Sequence, residues 1–480
     1  MIRAKPFDIP KREVWEAFKR VKANQGAAGV DGQSIHDFED RLGDNLYKLW
    51  NRMSSGSYMP PPVRRVDIPK ASGGTRPLGI PTVADRVGQE VVRRYLEPLL
   101  EPVFHADSYG YRPRRSAIDA VRTARQRCWR YDWVVDIDIK GFFDSIDHEL
   151  LLRAVRKHTT CPWVLLYIER WLKAPVMMED GSLVPRDQGT PQGGVISPLL
   201  ANLFLHYVFD IWLTRAMPGI PFERYADDIV CHCRTAREAL ALRQVLDRRF
   251  SECGLVLHPE KTKLVYCKDT NRKRDYGVIQ FDFLGYTFRP RLAKWRGGLF
   301  GVSYLPAAGP KALKAIRQTI RGWTLQTRSD KALDDLARMF NPYIRGWINY
   351  YSHFYKSALT PTLRRIDVFL IRWARRKFRR LRQQPKDETG WHGWSDHRRT
   401  CLPIGRFCMA KAGHWEPYEP RGSRTVLGAR RGEIPPRDSL AAVSSERDLC
   451  ARGARTRSLD TVRLGRPGGL AARSGGGDDP

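Results

Sequence analysis

Glu223–Cys233 reads ERYADDIVCHC, and its difficulty is a pair of adjacent acids, Asp227 and Asp228, among Tyr225, Ile229 and Val230, residue types that favour strands. Neighbouring carboxylates in or beside a strand repel each other and lose hydration unless something positive offsets them. A bound metal ion would supply that charge. A solvated Asp-Asp turn between two strands would avoid the cost, and the stretch taken alone allows either.

The same anomaly occurs upstream in Asp132–Leu151, DWVVDIDIKGFFDSIDHELL, where Val134, Val135, Ile137 and Ile139 read as a buried strand that carries Asp136 and Asp138. Nucleotidyl transfer uses two magnesium ions about 3.5 to 4 Å apart, held by oxygen ligands. Three carboxylates on neighbouring strands would supply that clamp. Asp136 and Asp138 share one face of the strand, so spacing does not say which is the ligand. Asp144 and Asp147 read as capping or flanking a helix that begins near His148.

Composition narrows the partners. The 480 residues suggest about three domains, and 42% apolar with 11% aromatic residues suffice for substantial cores. A net charge of +31, from 83 Lys and Arg against 52 acids, points to a polyanion, with nucleic acid ahead of an anionic membrane surface. No apolar run approaches the roughly 20 residues of a spanning helix. The start, MIRAKPFDIPKREVWEAF, sets Asp8 and Glu13 among its basic residues without an apolar signal core, so a cytoplasmic protein with no membrane partner is expected. The nine cysteines are odd in number and lack paired CxxC spacings, which argues against a disulfide framework or a four-ligand zinc site. Cys231-His232-Cys233 reads as strand packing.

Residues 1–60 read as an N-terminal helical extension, with Val14, Trp15 and Phe18, then Leu42, Leu46 and Leu49, on either side of a Gly-rich loop at Asn24–Gly32. Residues 61–305 alternate short strands with helical runs, an α+β pattern. Residues 306–385 are helical and strongly basic. Residues 386–480 are basic and rich in Gly, Arg and Pro, and read as largely disordered. Within the α+β region, VRRVDIPKASGGTRPLGIP (Val63–Pro81) forms a hairpin whose Lys70 and Arg76 flank the tip, a cradle for a triphosphate or else a solvated basic hairpin. In TPQGGVISPLLANLFLHYVFD (Thr190–Asp210), Ser197 and Pro198 start a helix with serine as cap. Thr190–Gly194 is then a tight turn in which Gln192 offers a donor and an acceptor to a nucleotide or template.

DIDIKGFFDSIDH, TPQGGVISPLLANLFLHYVFD and YADD, in that order, resemble the reverse transcriptases of group II introns, the intron-encoded maturases, and the resemblance extends over residues 20–385. It implies Asp138, Asp227 and Asp228 as Mg2+ ligands, with Asp136 outside the catalytic set. Tyr-Ala-Asp-Asp in place of Gly-Asp-Asp favours a DNA product. Phe143 falls where the family places the aromatic that closes off the sugar 2′ position, unless it is a core ring beside Phe142. The turn at Gln192 would lie against the incoming nucleotide, and the Lys70–Arg76 hairpin resembles the fingers hairpin. Ser108–Val121 matches the family with Arg112 as a contact to nucleotide or template, although Arg114 stands where a small residue is expected. Lys261, in LHPEKTKLVYC, sits where polymerases carry a lysine that protonates pyrophosphate, or is a surface lysine. FDFLGYTF, Phe281–Phe288, resembles the element that grips the primer end.

The basic segment resembles the maturase-specific domain that also acts as thumb. Its last helix carries Arg372, Arg375, Arg376, Lys377, Arg379 and Arg380, and Trp347, Tyr350, Tyr351, Phe354 and Tyr355 interleave with the charge as stacking surfaces for RNA. The implied fold is an α+β right-hand polymerase (fingers, palm, thumb) with an α-helical maturase/thumb domain. The implied function is an RNA-directed DNA polymerase that uses Mg2+ and deoxynucleoside triphosphates on an RNA template with a DNA primer. It would also bind group II intron RNA to assist splicing and mobility into target DNA. An RNA-binding splicing factor with an unused polymerase site, or a reverse transcriptase recruited to phage defence, are the alternatives. No paired cysteines or His-Asn-His pattern for an endonuclease follow residue 385, so mobility is expected to rely on existing nicks or replication forks.

Overall fold

Period-two alternation in the stretch around Asp136 builds the centre of the molecule. The computed structural model describes residues 5–69, 74–294 and 298–378; Lys70, Arg379, Arg380 and the stretch expected to be disordered lie outside them. Strands β1 (Val63–Pro69), β2 (Thr75–Ile80), β3 (Trp133–Ile137), β4 (Val176–Met177), β5 (Leu183–Val184), β6 (Phe222–Tyr225), β7 (Asp228–Cys233), β8 (Lys263–Tyr266), β9 (Phe281–Phe283), β10 (Tyr286–Lys294) and β11 (Phe300–Ala308) form three sheets. Their orders are β2-β1-β4-β5, β6-β7-β3-β8 and β11-β10-β9.

In the sheet around β3 all the pairings are antiparallel, with Ile137 opposite Ile229 and Asp136 opposite Val230. Both faces are covered. Val135, Ile137, Ile229 and Cys231 join the larger core with helical residues such as Leu203 and Phe204. Val134, Val230 and Val265 join a second core with Val121, Phe281 and Tyr286. Asp136, Asp138 and Asp228 share the parity of Val134 and Val230, so they belong to this second face. Glu223 is fully buried and meets Arg127 at 2.7 Å and His232 Nε2 at 2.6 Å, which gives His232 a packing role. The six cysteines among the described residues are free thiols.

Residues 5–60 pack into the main core. Val14, Ala17, Phe18 and Val21 line one face of the helix Lys11–Asn24, and together with Leu46 and Leu49 they enter the same core as β3. The helix Val83–Leu100 lies beneath them and carries a buried acid. Asp85 accepts hydrogen bonds from Tyr58 Oη (2.9 Å), Trp171 Nε1 (2.6 Å) and Gln89 Nε2 (3.1 Å). Gln89 Oε1 in turn accepts from the backbone N–H of Val195 at 2.8 Å, which ties this helix to the turn containing Gln192. Ser197 is not a cap: its Oγ accepts from Thr190 Oγ1 at 2.9 Å, so it braces the turn, and the helix Ser197–Leu205 already includes it. Asp147 does cap its helix, accepting from Leu150 N–H at 2.7 Å.

The helices Pro310–Gly322, Leu333–Tyr351 and Thr360–Lys377 enclose a core of their own around Ile320, Leu336, Ile344, Leu363 and Leu370. Trp323 stacks on Phe340 and Trp347 with ring centroids 4.5 and 5.4 Å apart. Three of the rings expected to face RNA turn inward instead. Trp347 is buried, Tyr350 Oη donates to Leu284 O at 2.7 Å, and Phe354 meets Tyr286 edge-on at 5.3 Å. Large rings gain more from covering the β9–β10 hairpin than from standing in water. Among the described residues no helix is long and apolar enough to cross a membrane.

Burial pushes Asp85 up from its ordinary 3.8 to about 6, with the three donors opposing the rise. A carboxyl of raised pKa holds its proton longer folded than unfolded, so its contribution to stability falls as pH rises through that window. The expected loss is roughly 3 kcal/mol, at about 1.36 kcal/mol per pKa unit. Urea unfolding of the protein and of Asp85→Asn across this pH range will show the unaltered protein losing that much relative to the variant.

Candidate active site

The acids of the opening stretch sit at a two-residue hairpin, Asp227 in its loop and Asp228 at the start of β7. Tyr225 pairs with Asp228, leaving Ala226 and Asp227 as the loop. Ala226 sits at φ 59°, in the left-handed region that costs an L-residue roughly 1–2 kcal/mol. The chain passes closely beneath it: a Cβ on Gly110 would lie 2.4 Å from Ala226 N, so only glycine fits there. Tyr109 N–H donates to Arg224 O at 2.8 Å and Arg224 N–H to Asp107 O at 2.9 Å, which fixes that approach.

Asp138 lies one step past the Ile137–Ile229 pair, where the register sets it opposite Asp228. Its backbone carbonyl accepts from His258 N–H at 2.8 Å, and Lys261 Nζ lies 3.7 Å from Asp138 Oδ1. Asp228 is exposed to solvent, yet protein surrounds it on most sides. That enclosure first, and then the charges of Asp227 and Asp138, push it up to about 7, against Arg76. Asp227 is raised by burial and by Asp138, while its own backbone and Arg76 oppose the rise. Asp136 is pushed up to about 7 by burial and then by Asp228.

Among the described residues, no three histidine, cysteine or acidic side chains are gathered at metal-ligating distance. The donor set nevertheless suits a hard dication. Asp138 raises the pKa of both Asp227 and Asp228, so the three carboxylates share one electrostatic neighbourhood, and burial together with this repulsion holds Asp227 and Asp228 toward protonation.

Other sequence-derived candidates converge here. Arg76 Nε donates to Gln192 Oε1 at 2.6 Å, and Gly79 N–H donates to Gln192 O at 2.7 Å. The β1–β2 hairpin and the Gln192 turn are thus in direct contact, and Arg76 acts electrostatically on Asp227 and Asp228. Phe143 is buried beside Phe142 with ring centroids 5.4 Å apart, and its carbonyl accepts from Thr190 N–H at 2.8 Å, next to the same turn.

Arg112 is engaged differently. Its guanidinium donates to Glu101 Oε1 (2.8 Å), His105 O (2.6 Å) and Ser108 O (2.7 Å), and its side chain is only 5% exposed, so it holds its own loop together. On the last described helix Arg372 and Arg376 are exposed and Arg375 is half-buried, whereas Lys377 Nζ donates to Lys331 O at 2.5 Å. Sequence reasoning missed Asp210, Arg224 and Asn202, which lie buried behind the acidic turn. A signal existed, because two adjacent charges, Glu223 and Arg224, in a strand as short as β6 both demand partners.

Residues 68–288 match the reverse transcriptase (RNA-dependent DNA polymerase) family, and residues 313–390 match the group II intron maturase-specific domain. Protein YkfC of Escherichia coli (strain K12) is 32% identical over 296 residues, covering 53% of this chain and 77% of that protein. The group II intron-encoded protein LtrA of Lactococcus lactis subsp. cremoris is 38% identical over 193 residues, 40% of this chain. The match spans 32% of the length of LtrA. With both segments in this order around the acidic turn, the chain belongs to the group II intron reverse transcriptase/maturase family.

Proposed function

We propose that the protein is an RNA-directed DNA polymerase encoded by a group II intron, which copies RNA into DNA and binds intron RNA to assist splicing and mobility. The observation that carries this reading is the convergence of Asp138, Asp227 and Asp228 at the end of the β3–β7 pair with Arg76 and Gln192. In this reading the fold is a right hand, with the β2-β1-β4-β5 sheet as part of the fingers, the β6-β7-β3-β8 sheet as palm and the helices Pro310–Gly322, Leu333–Tyr351 and Thr360–Lys377 as thumb.

The family generally uses divalent metal ions; Mg2+ held by Asp138, Asp227 and Asp228 would activate a primer 3′-hydroxyl and neutralise charge on the triphosphate. Arg76 and Lys70 bind the phosphates of a deoxynucleoside triphosphate, so Arg76 exchanges its bond to Gln192 for one to substrate. Gln192, released from Arg76, orients the nucleotide or template. Phe143 excludes a 2′-hydroxyl, and Lys261, now beside Asp138, delivers a proton toward pyrophosphate. Arg372, Arg375 and Arg376, with Arg379 and Arg380 beyond the described helix, contact the phosphates of intron RNA. Target DNA is the partner in mobility.

Primer extension on an RNA template will test the site. Asp227→Ala combined with Asp228→Ala is expected to lower extension by at least ~10²-fold with RNA affinity retained. Tight RNA binding without extension by the unaltered protein would instead favour a splicing factor with an unused site. Phe143→Val is expected to raise incorporation of ribonucleotides relative to deoxynucleotides by ~10–100-fold, read from competing extension assays. Arg112→Gln should act on the fold and not on catalysis: a stability loss of about 2–3 kcal/mol in urea, with the KM for deoxynucleotide unchanged.

A further inference from the structure

Behind the acidic turn lies a charged pair that the proposed chemistry does not use. Arg224 and Asp210 are both fully buried, and Arg224 Nε and Nη2 meet the two Asp210 oxygens at 2.7 and 2.6 Å. Arg224 Nη1 donates to Asn202 Oδ1 at 2.9 Å and to the carbonyl of Ala226 at 3.2 Å. Asn202 Nδ2 donates to Gly110 O at 2.6 Å, and Gly110 is the residue packed against Ala226 N. The turn is therefore gripped from two sides, at the Ala226 carbonyl and along the Gly110 backbone. Both grips meet at Asn202.

Stability does not account for this arrangement. A buried ion pair must offset the desolvation of two charges, and well-packed apolar side chains of similar volume often stabilise a fold as well or better. What apolar residues cannot do is direct a donor at one carbonyl. Ala226 needs such a partner, because its backbone is in the left-handed region and an unheld two-residue loop has other conformations available. Burial would raise the pKa of Asp210, but the charge and hydrogen bonds of Arg224 more than offset it and hold the group below its usual range. Asp210 thus remains an anion able to fix the guanidinium plane. It ends a π-helical turn, His206–Asp210, an irregularity that interrupts the helix in which Asn202 and Asp210 both lie.

We infer that Arg224, held in orientation by Asp210 and Asn202, is a positioning residue that sets the conformation of the Tyr225–Asp228 turn and so the placement of the Asp227 and Asp228 carboxylates relative to Asp138. This rests on the reading of those three acids as metal ligands. Lysine could retain the charge at position 224 but not the planar fork that serves Asp210, Asn202 and Ala226 together.

The test compares Arg224→Lys and Asn202→Ala with the unaltered protein, each first shown to be folded by circular dichroism and thermal melting. Asn202→Ala leaves the Arg224–Asp210 pair whole and decides the matter should Arg224→Lys not fold. Mn2+ binding is read by loss of the free-ion resonance, on a chain-terminated primer–template with deoxynucleotide present, and extension is measured separately. Both variants are expected to bind Mn2+ ~10-fold more weakly. They are also expected to lose ~10–100-fold in kcat with the KM for deoxynucleotide unchanged. A merely structural role would lower the melting temperature and leave Mn2+ affinity and kcat per folded molecule as they were, and that result would overturn the inference. Undiminished Mn2+ binding by Asp227→Ala with Asp228→Ala would show separately that the metal-site reading itself fails, and would overturn both.

Discussion

Repulsion among Asp138, Asp227 and Asp228 is the constraint around which the rest of this molecule is arranged. Left to themselves, carboxylates on a two-residue loop and a neighbouring strand end would splay into water. They are kept together because the strands that carry them are committed elsewhere: β3 and β7 bury side chains on both faces, so their ends cannot shift without opening two cores. Slipping the β3–β7 register by one residue would exchange Val134 and Asp136 for Val135 and Ile137 on the second face. The apolar pattern thereby fixes where charge can appear.

Other elements are tied to one another around the Gln192 turn by hydrogen bonds and reach the acids through the charge of Arg76. The turn containing Gln192 is tied to the β1–β2 hairpin by Gly79 N–H, to Phe143 through Thr190 N–H, and to the helix Val83–Leu100 through Gln89. Asp85 anchors that helix by accepting from Tyr58 and Trp171 in the core shared with the N-terminal helices, and from Gln89 one turn along the same helix. A continuous path of hydrogen bonds thus runs from the N-terminal part of the chain to the place proposed for the nucleotide. Gly193 lets the path close, since a Cβ there would lie 2.4 Å from Gly79 O.

Much of this was legible in the sequence because its cues are local. Alternation marked β3, the Gly-Gly tip marked the β1–β2 hairpin, and Asp147 announced its helix by type and position. What was not legible depends on which way a side chain turns after tertiary packing. Ser197 has the residue type and position of a cap, yet Thr190 takes its oxygen. Arg112 looks like a ligand contact in a basic loop until Glu101 comes to it from the preceding helical segment. Trp347, Tyr350 and Phe354 have the composition of an RNA-stacking surface, but the helical core around Trp323 takes Trp347 and the adjacent β9–β10 hairpin offers a core to Tyr350 and Phe354. Arg224, Asp210 and Asn202 come from two different elements, and no spacing rule links a strand arginine to a helix asparagine 22 residues before it.

The same inward turning changes how the net charge of +31 should be read. Several arginines are consumed within the fold: Arg224 by Asp210, Arg127 by Glu223 and Asp107, Arg112 by Glu101, and Arg272 by Asp269. Each of these arginines is matched by at least one acid, so they add nothing to the excess and present nothing to a polyanion. The unbalanced cations must then lie elsewhere on the chain. Where cations are exposed, as Arg372 is on the last described helix, the field falls off within about 8–10 Å at physiological salt. Attraction of RNA is in this view a surface property of a few segments, whereas the buried arginines spend their charge on geometry, and it is geometry that the acidic turn requires.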